Sequence, residues 1–312
     1  MVRIPAIALA ATCSATLAAA ATIDKRIVGG EDVADGEIKF IVSLRNENGT
    51  HVCGGSLLDD RTVLTAAHCL VSETIHISSV TAGTVSTKTG GVNVAVASVK
   101  KHPNYKPGSP NECRKGMPLS ECSDQKGARE ANDIAILKLS TPIEKSDTID
   151  YARLPAADRD VAGNSAAIVA GWGYQTPIGV RPQDDKGRQS IRPENLSKVV
   201  VDVLAREDCI AKYKYQNIGD RDTIICAGGQ GKNACRRDSG GPLFDPETRE
   251  LLGVVSWSIQ DIRAQDLCNK TPTVYTRVSS YTDWINDNLG SRASSCGTAA
   301  ALKLNGPSAS TP

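Results

Sequence analysis

The chain is poor in several things that would each have named a function. Its formal net charge is only +1, so it carries no electrostatic footprint for nucleic acid or for an anionic membrane surface. Long helical heptads and internal repeats are absent. After the first twenty residues no apolar run is long enough to span a bilayer. Its four histidines are scattered and no cysteine–histidine spacing suits zinc, so neither a metal nor an organic cofactor is expected. What remains is ordinary for a globular protein: 312 residues, 23% charged and 40% hydrophobic.

The first twenty residues read as a secretory signal. Arg3 supplies the charge, Ile4 to Ala20 is mostly Ala, Leu and Ile, and Ala18 to Ala21 offers small residues for cleavage. Residues 21–26 follow as a short polar piece ending in Lys25-Arg26. Ten cysteines less Cys13 leave nine in an exported, disulfide-permissive chain. Sequons at Asn48, Asn195 and Asn269 make glycosylation chemically available, the last weakened by Pro272.

From Ile27 onward, short β-branched runs are broken by Gly, Asn and Asp. A first set comprises Phe40 to Leu44, Ser56 to Leu58, Arg61 to Leu64, Val92 to Val99 and Ile134 to Leu139. A second comprises Ala166 to Ala170, Val199 to Leu204, Thr223 to Cys226, Pro242 to Phe244, Leu251 to Trp257 and Thr273 to Val278. Two such sets predict an all-β chain with two barrels or sandwiches, divided near residue 150. Tyr281 to Leu289 has helical spacing and Gly290 to stop it; the Ser/Ala-rich 290–312 reads as a disordered tail. Lys106 to Glu130 is a polar insertion, long for a loop, in which Cys113 and Cys122 would close a bracing ring. It directly precedes Asp133 and should overhang whatever site Asp133 serves.

Three segments carry chemistry. They are Thr65-Ala66-Ala67-His68-Cys69, Asn132-Asp133-Ile134-Ala135-Ile136-Leu137 and Cys235-Arg236-Arg237-Asp238-Ser239-Gly240-Gly241-Pro242. A serine is a weak nucleophile until a neutral imidazole takes its proton, and a buried carboxylate can fix that imidazole's tautomer. With Ile27-Val28-Gly29-Gly30, Gly171-Trp172-Gly173 and Ser256-Trp257, the chain resembles the chymotrypsin/trypsin-like serine proteases from Ile27 to about Leu289. The resemblance implies two six-stranded antiparallel barrels, about 27–150 and 151–278, a C-terminal helix at 279–289, and a cleft holding His68 as base, Asp133 as its orienter and Ser239 as nucleophile. It implies a zymogen cut at Arg26-Ile27, whose new α-ammonium pairs with Asp238. It implies the disulfides Cys53–Cys69, Cys209–Cys226 and Cys235–Cys268, with Cys113–Cys122 a plausible fourth and Cys296 left over. Each closed loop would contribute about 2–4 kcal/mol. A third possibility, an esterase of the α/β-hydrolase type, fits poorly, since the order His-Asp-Ser is wrong for it and there is no Gly-x-Ser-x-Gly elbow.

The sequence also departs from that family. Asn233 stands where trypsins have the Asp that pairs a basic side chain, so Arg or Lys would be buried there unpaired. Asn233, Ser256, Trp257, Ser258 and Thr273 are expected on the substrate-binding side; Ser258 and Thr273 replace glycines, giving a shallow pocket for small uncharged residues. Arg237 replaces the glycine whose N–H, with that of Ser239, forms the oxyanion hole. A side chain disfavours the backbone conformation needed there by about 1–3 kcal/mol. If that strain is the defect, Arg237→Gly should raise activity about 10-fold or more. The long cation is also expected to reach over the leaving-group side of the cleft, blocking substrates or selecting acidic ones. The expectation is therefore a secreted endopeptidase acting on proteins or peptides. The alternative is an impaired homologue that binds a secreted target, as the glucanase-inhibitor proteins do.

Overall fold

The β-branched runs form strands because their side chains pack best on a pleated, half-buried surface. The structure, a computed structural model, describes residues 27–71, 76–108, 129–174, 193–213, 222–258, 268 and 271–289. The predicted signal, the piece ending in Arg26, Cys113, Cys122, Asn269, Cys296 and the tail lie outside the described residues.

Thirteen strands are present among the described residues. They are β1 (Glu31–Asp32), β2 (Ile41–Asn46), β3 (His51–Leu57), β4 (Thr62–Thr65), β5 (Ile77–Ala82), β6 (Val92–Lys101), β7 (Ala135–Leu139), β8 (Ala166–Gly171), β9 (Ser197–Asp202), β10 (Ile224–Ala227), β11 (Pro242–Phe244), β12 (Leu251–Ser258) and β13 (Thr273–Arg277). Strands β2-β3-β4-β7-β6-β5 close a six-stranded antiparallel barrel. Inside it Val42, Leu44, Leu57, Leu64, Val80 and Leu137 are buried. The second sheet runs β1-β9-β8-β11-β12-β13-β10, also antiparallel. Its far edges meet at a Val203–Ala227 bridge, flanked by Leu204 N–H to Cys226 C=O at 2.9 Å and Gly228 N–H to Asp202 C=O at 3.0 Å. Six strands thus curl into a second barrel, and β1 is appended outside β9. Ile27, Val169, Val201, Leu243 and Tyr275 fill its core. Phe40 and Phe244, one from each half, meet edge to face at 5.3 Å and join the two cores.

Two strands escaped the sequence. Glu31-Asp32 is too short and polar to register. In Ile77-Ser-Ser-Val-Thr-Ala the serines blur the alternation, yet this strand closes the first barrel between β2 and β6. A polar helix, α1 (Arg206–Tyr213), was also missed; Glu207 and Asp208 in its first turn suit its positive end. The C-terminal helix is shorter than expected. A 3₁₀ turn at Val278–Tyr281 leads into α2 (Thr282–Asn286), and beyond it Asn288 and Leu289 bond only three residues back, tightening the chain out of α geometry. No helix among the described residues is long and apolar enough to cross a membrane.

Candidate active site

His68 sits on a 3₁₀ turn, Ala67–Leu70, directly after β4. The Cys53–Cys69 disulfide ties that turn to β3. Asp133 is held just before β7, its side chain 2% exposed. Its carboxylate is surrounded by donors: Oδ1 accepts the His68 main-chain N–H at 2.8 Å, and Oδ2 accepts His68 Nδ1–H at 2.7 Å and the Ser256 hydroxyl at 2.5 Å. Thr276 Oγ1 donates to the Asp133 carbonyl at 2.8 Å. Burial alone would push the His68 imidazole down, but the Asp133 charge and hydrogen bond, with the charge of Glu130, carry it above its ordinary value. Burial likewise opposes ionisation of Asp133, and His68, with help from Ser256, holds its carboxyl below the usual range. With Nδ1–H committed to Asp133, the lone pair of a neutral His68 is on Nε2, where a proton can be taken.

The Cys235–Asp238 segment is a tight turn. Asp238 N–H reaches Cys235 C=O at 3.1 Å and Arg237, in the third place, has φ +80°. Those are the marks of a type II turn, which calls for glycine there. The Arg236 carbonyl accepts from Tyr174 N–H at 2.9 Å, and because the Arg236–Arg237 peptide is trans the Arg237 N–H points the opposite way. The strained conformation is therefore kept, not relieved by a peptide flip. A reciprocal pair of bonds holds it: His51 Nε2–H donates to Arg237 C=O at 3.0 Å, and Arg237 Nη1 donates to His51 C=O at 2.8 Å. Ser43 Oγ lies 2.8 Å from His51 Nδ1 and Trp172 packs 5.4 Å from its ring. The Arg237 side chain is thus folded back onto His51, where the sequence had it reaching over the cleft.

Asp238 is fully buried, its carboxylate taking Gly173 N–H at 2.7 Å and Cys235 N–H at 2.9 Å. Its carboxyl is pushed up to about 7 by burial, against the pull of those two donors. Gly171 and Gly173 are required beside it, since a Cβ at either would collide with the carboxylate. Ile27, also 0% exposed, packs into the second core with φ +27°, a conformation a β-branched residue rarely holds.

Ser239 is half-buried and its carbonyl accepts from Gly54 N–H at 2.8 Å. It lines a cavity of about 280 Å³ with Arg236, Ser256, Trp257, Ser258 and Thr273. Asn233 is not in that lining. It is 0% exposed behind Thr273, whose hydroxyl donates to Asn233 Oδ1 at 2.7 Å, while Asn233 Nδ2 donates to Thr271 C=O at 2.6 Å. Thr273 therefore forms the floor. At the mouth Arg129 lies 5.3 Å over the Trp257 ring, with Glu130 beside it. The chain end of the insertion thus reaches the site, which the sequence anticipated only as an overhang.

Disulfides Cys209–Cys226 and Cys235–Cys268 are formed, and Asn48 and Asn195 are exposed. Cys53, His68 and Cys69 bring ligand-type atoms together, but both sulfurs are spent in the disulfide, so the group cannot hold a metal. Sequence reasoning missed His51, Ser43, Tyr174 and Arg129. His51 acts through its ring and its carbonyl and Tyr174 through its main-chain N–H, neither of which leaves a pattern, and Arg129 follows a polar run that reads as solvent-facing.

The model of the family described as Trypsin matches residues 27–285. Trypsin beta of Drosophila erecta is 34% identical over 266 residues, covering 85% of this chain and 89% of its own. The trypsin of Sarcophaga bullata is 33% identical over 267 residues (84% and 89%), and trypsin delta of Drosophila melanogaster 32% over 266 (85% and 89%). On the strength of that match, and of a double-barrel fold that brings His68 and Asp133 together, the chain belongs to the trypsin family of serine proteases.

Proposed function

We propose that this is a secreted endopeptidase in which Ser239 attacks the peptide carbonyl, His68 takes and returns the proton, and Asp133 orients His68. The observation that carries the reading is the Asp133 carboxylate, which takes both the Nδ1–H and the main-chain N–H of His68. A water then hydrolyses the acyl-enzyme. The oxyanion is held by the N–H groups of Ser239 and Arg237. The retained φ of +80° supports the second donor, since the strain is absorbed by the His51 bonds and not by turning the N–H away. Arg237→Gly should then change turnover less than about 3-fold, because a donor already in place gains nothing, in contrast to the 10²–10³ that a lost donor costs. A rise of 10-fold or more would show that the turn is misaligned in the native chain.

Specificity follows from the floor of the cavity. Thr273 seals Asn233 away, and the one carboxylate among the described lining residues, Glu130, follows Arg129 and is not part of the Asn233–Thr273 base, which favours Ala or Val before the scissile bond over Arg or Lys. The test is hydrolysis of a peptide library by the protein cleaved at Arg26-Ile27. Cleavage after small residues is expected; cleavage after Arg or Lys would overturn the pocket. A binding role in place of catalysis is favoured by one observation, Arg129 lying over Trp257 where an extended substrate would pass. It predicts no hydrolysis of any peptide.

The chain is made as a zymogen in this reading. Ile27 and Asp238 are both buried, and among the described residues no cation pairs with Asp238. Cutting the Arg26-Ile27 bond creates an α-ammonium that can pair with Asp238. The domain so released is 27–289, following a signal at 1–20 and a pro-piece at 21–26.

A further inference from the structure

The Arg236–Ser239 segment is a wall between two cavities. On one side lies the cavity shared by Ser239 and Thr273. On the other is a second, of about 270 Å³, bounded by Gly49–His51, Lys88, Trp172, Tyr174, Pro193 and Arg237. In the endopeptidase reading, a peptide whose acyl side occupies the first carries its leaving-group side toward the second.

The charges in this second cavity do not cancel. Lys88 Nζ is held 2.6 Å from Glu194 Oε2. Among the described residues no carboxylate pairs with Arg237, whose guanidinium spends one donor on the His51 carbonyl. Four N–H donors of the planar fork therefore stay available, half-sheltered beside Trp172 and Tyr174. A forked, permanently charged donor set in a partly dry, aromatic-walled recess matches one chemical class best, a carboxylate taken side-on with its methylenes against the rings. The fold-back onto His51 also removes the blocking role: anchored there, the side chain lines the recess and does not fill the cleft.

We propose that this recess binds an acidic side chain on the leaving-group side of the substrate, with Arg237 as the specificity-determining residue. The proposal deepens the endopeptidase reading and rests on it for the direction of the substrate. Arg237 then has two functions on one residue, a main-chain donor to the oxyanion and a side-chain receptor for the departing half of the peptide.

The test uses peptide sets with Glu, Gln or Lys at each of the first three positions after the scissile bond. With the cleaved protein, Glu should exceed Gln in kcat/KM by about 10-fold at one of them, the preference shrinking as salt rises. Arg237→Gln should bring the ratio to about 1, and Arg237→Lys, which keeps charge but loses the fork, should retain part of it. The same pairs are titrated against Ser239→Ala, with and without Arg237→Gln, which reads the recess by equilibrium binding. Equal treatment of Glu and Gln in both assays, or a preference that survives Arg237→Gln, would overturn the proposal. Glu-selective binding with no hydrolysis of any peptide would sustain it and overturn the endopeptidase reading. Hydrolysis without selectivity would do the reverse.

Discussion

Asp133→Asn should lower kcat about 10⁴-fold, the loss expected when a triad imidazole is locked in the wrong tautomer. The structure dictates which way the amide must face. At Oδ1 the partner is the His68 main-chain N–H, a donor that cannot change its role, so the amide oxygen has to sit there. The amide NH₂ then falls at Oδ2 and donates to His68 Nδ1, which forces the imidazole proton onto Nε2. In the proposed mechanism that nitrogen is the one that accepts the proton from Ser239. The Ser256 hydroxyl can rotate to accept, so nothing nearby resists the swap. The pH dependence should move as well. His68 acts only when neutral, so kcat/KM must fall as pH drops through its pKa, which Asp133 holds above the ordinary value. Without the Asp133 charge burial prevails, and the acid limb should shift to lower pH. An unchanged limb, or a loss under about 10-fold, would remove Asp133 from the machinery.

Cleavage at Arg26-Ile27 should be the second large effect, visible in stability as well as activity. In the uncut chain Asp238 is buried with its carboxyl at about 7, whereas an unfolded Asp titrates near the ordinary value of 3.8. A carboxyl raised on folding binds more protons in the native state, so native stability declines as pH rises from about 4 to about 7 and is level above. Three pH units correspond to a few kcal/mol, about 4 at most. A new α-ammonium at Ile27 would pair with Asp238 and hold it ionised, removing that slope. Urea unfolding of Ser239→Ala across pH 4–8 should show the decline in the uncut form and not in the cut form. Parallel curves for the two forms would exclude a pairing between Ile27 and Asp238.

Much of this was legible in the sequence because the informative residues are constrained by sharp geometry. Gly171, Gly173, Gly240 and Gly241 stand where a Cβ would strike a carboxylate, a side chain or a neighbouring backbone, so they mark the sequence as a pattern. The β-branched runs announced most strands. What stayed hidden depends on contacts distant in the chain. β5 earns its place only by pairing with both neighbours. The turn at Cys235–Asp238 carries no glycine to mark its third place, and the bonds that hold it come from His51, 186 residues away. Asn233 was expected on the substrate-binding side, and its seal behind Thr273 is a matter of packing that spacing does not encode.

The central claim is that Ser239 is an activated nucleophile once the chain is cut. Covalent labelling by a fluorophosphonate probe tests it directly, comparing the uncut protein, the protein cut at Arg26-Ile27, and the cut Ser239→Ala control. Rapid labelling of the cut protein alone, lost in Ser239→Ala, is the predicted result. No labelling of correctly cut protein would contradict the account and leave the cleft as a binding surface.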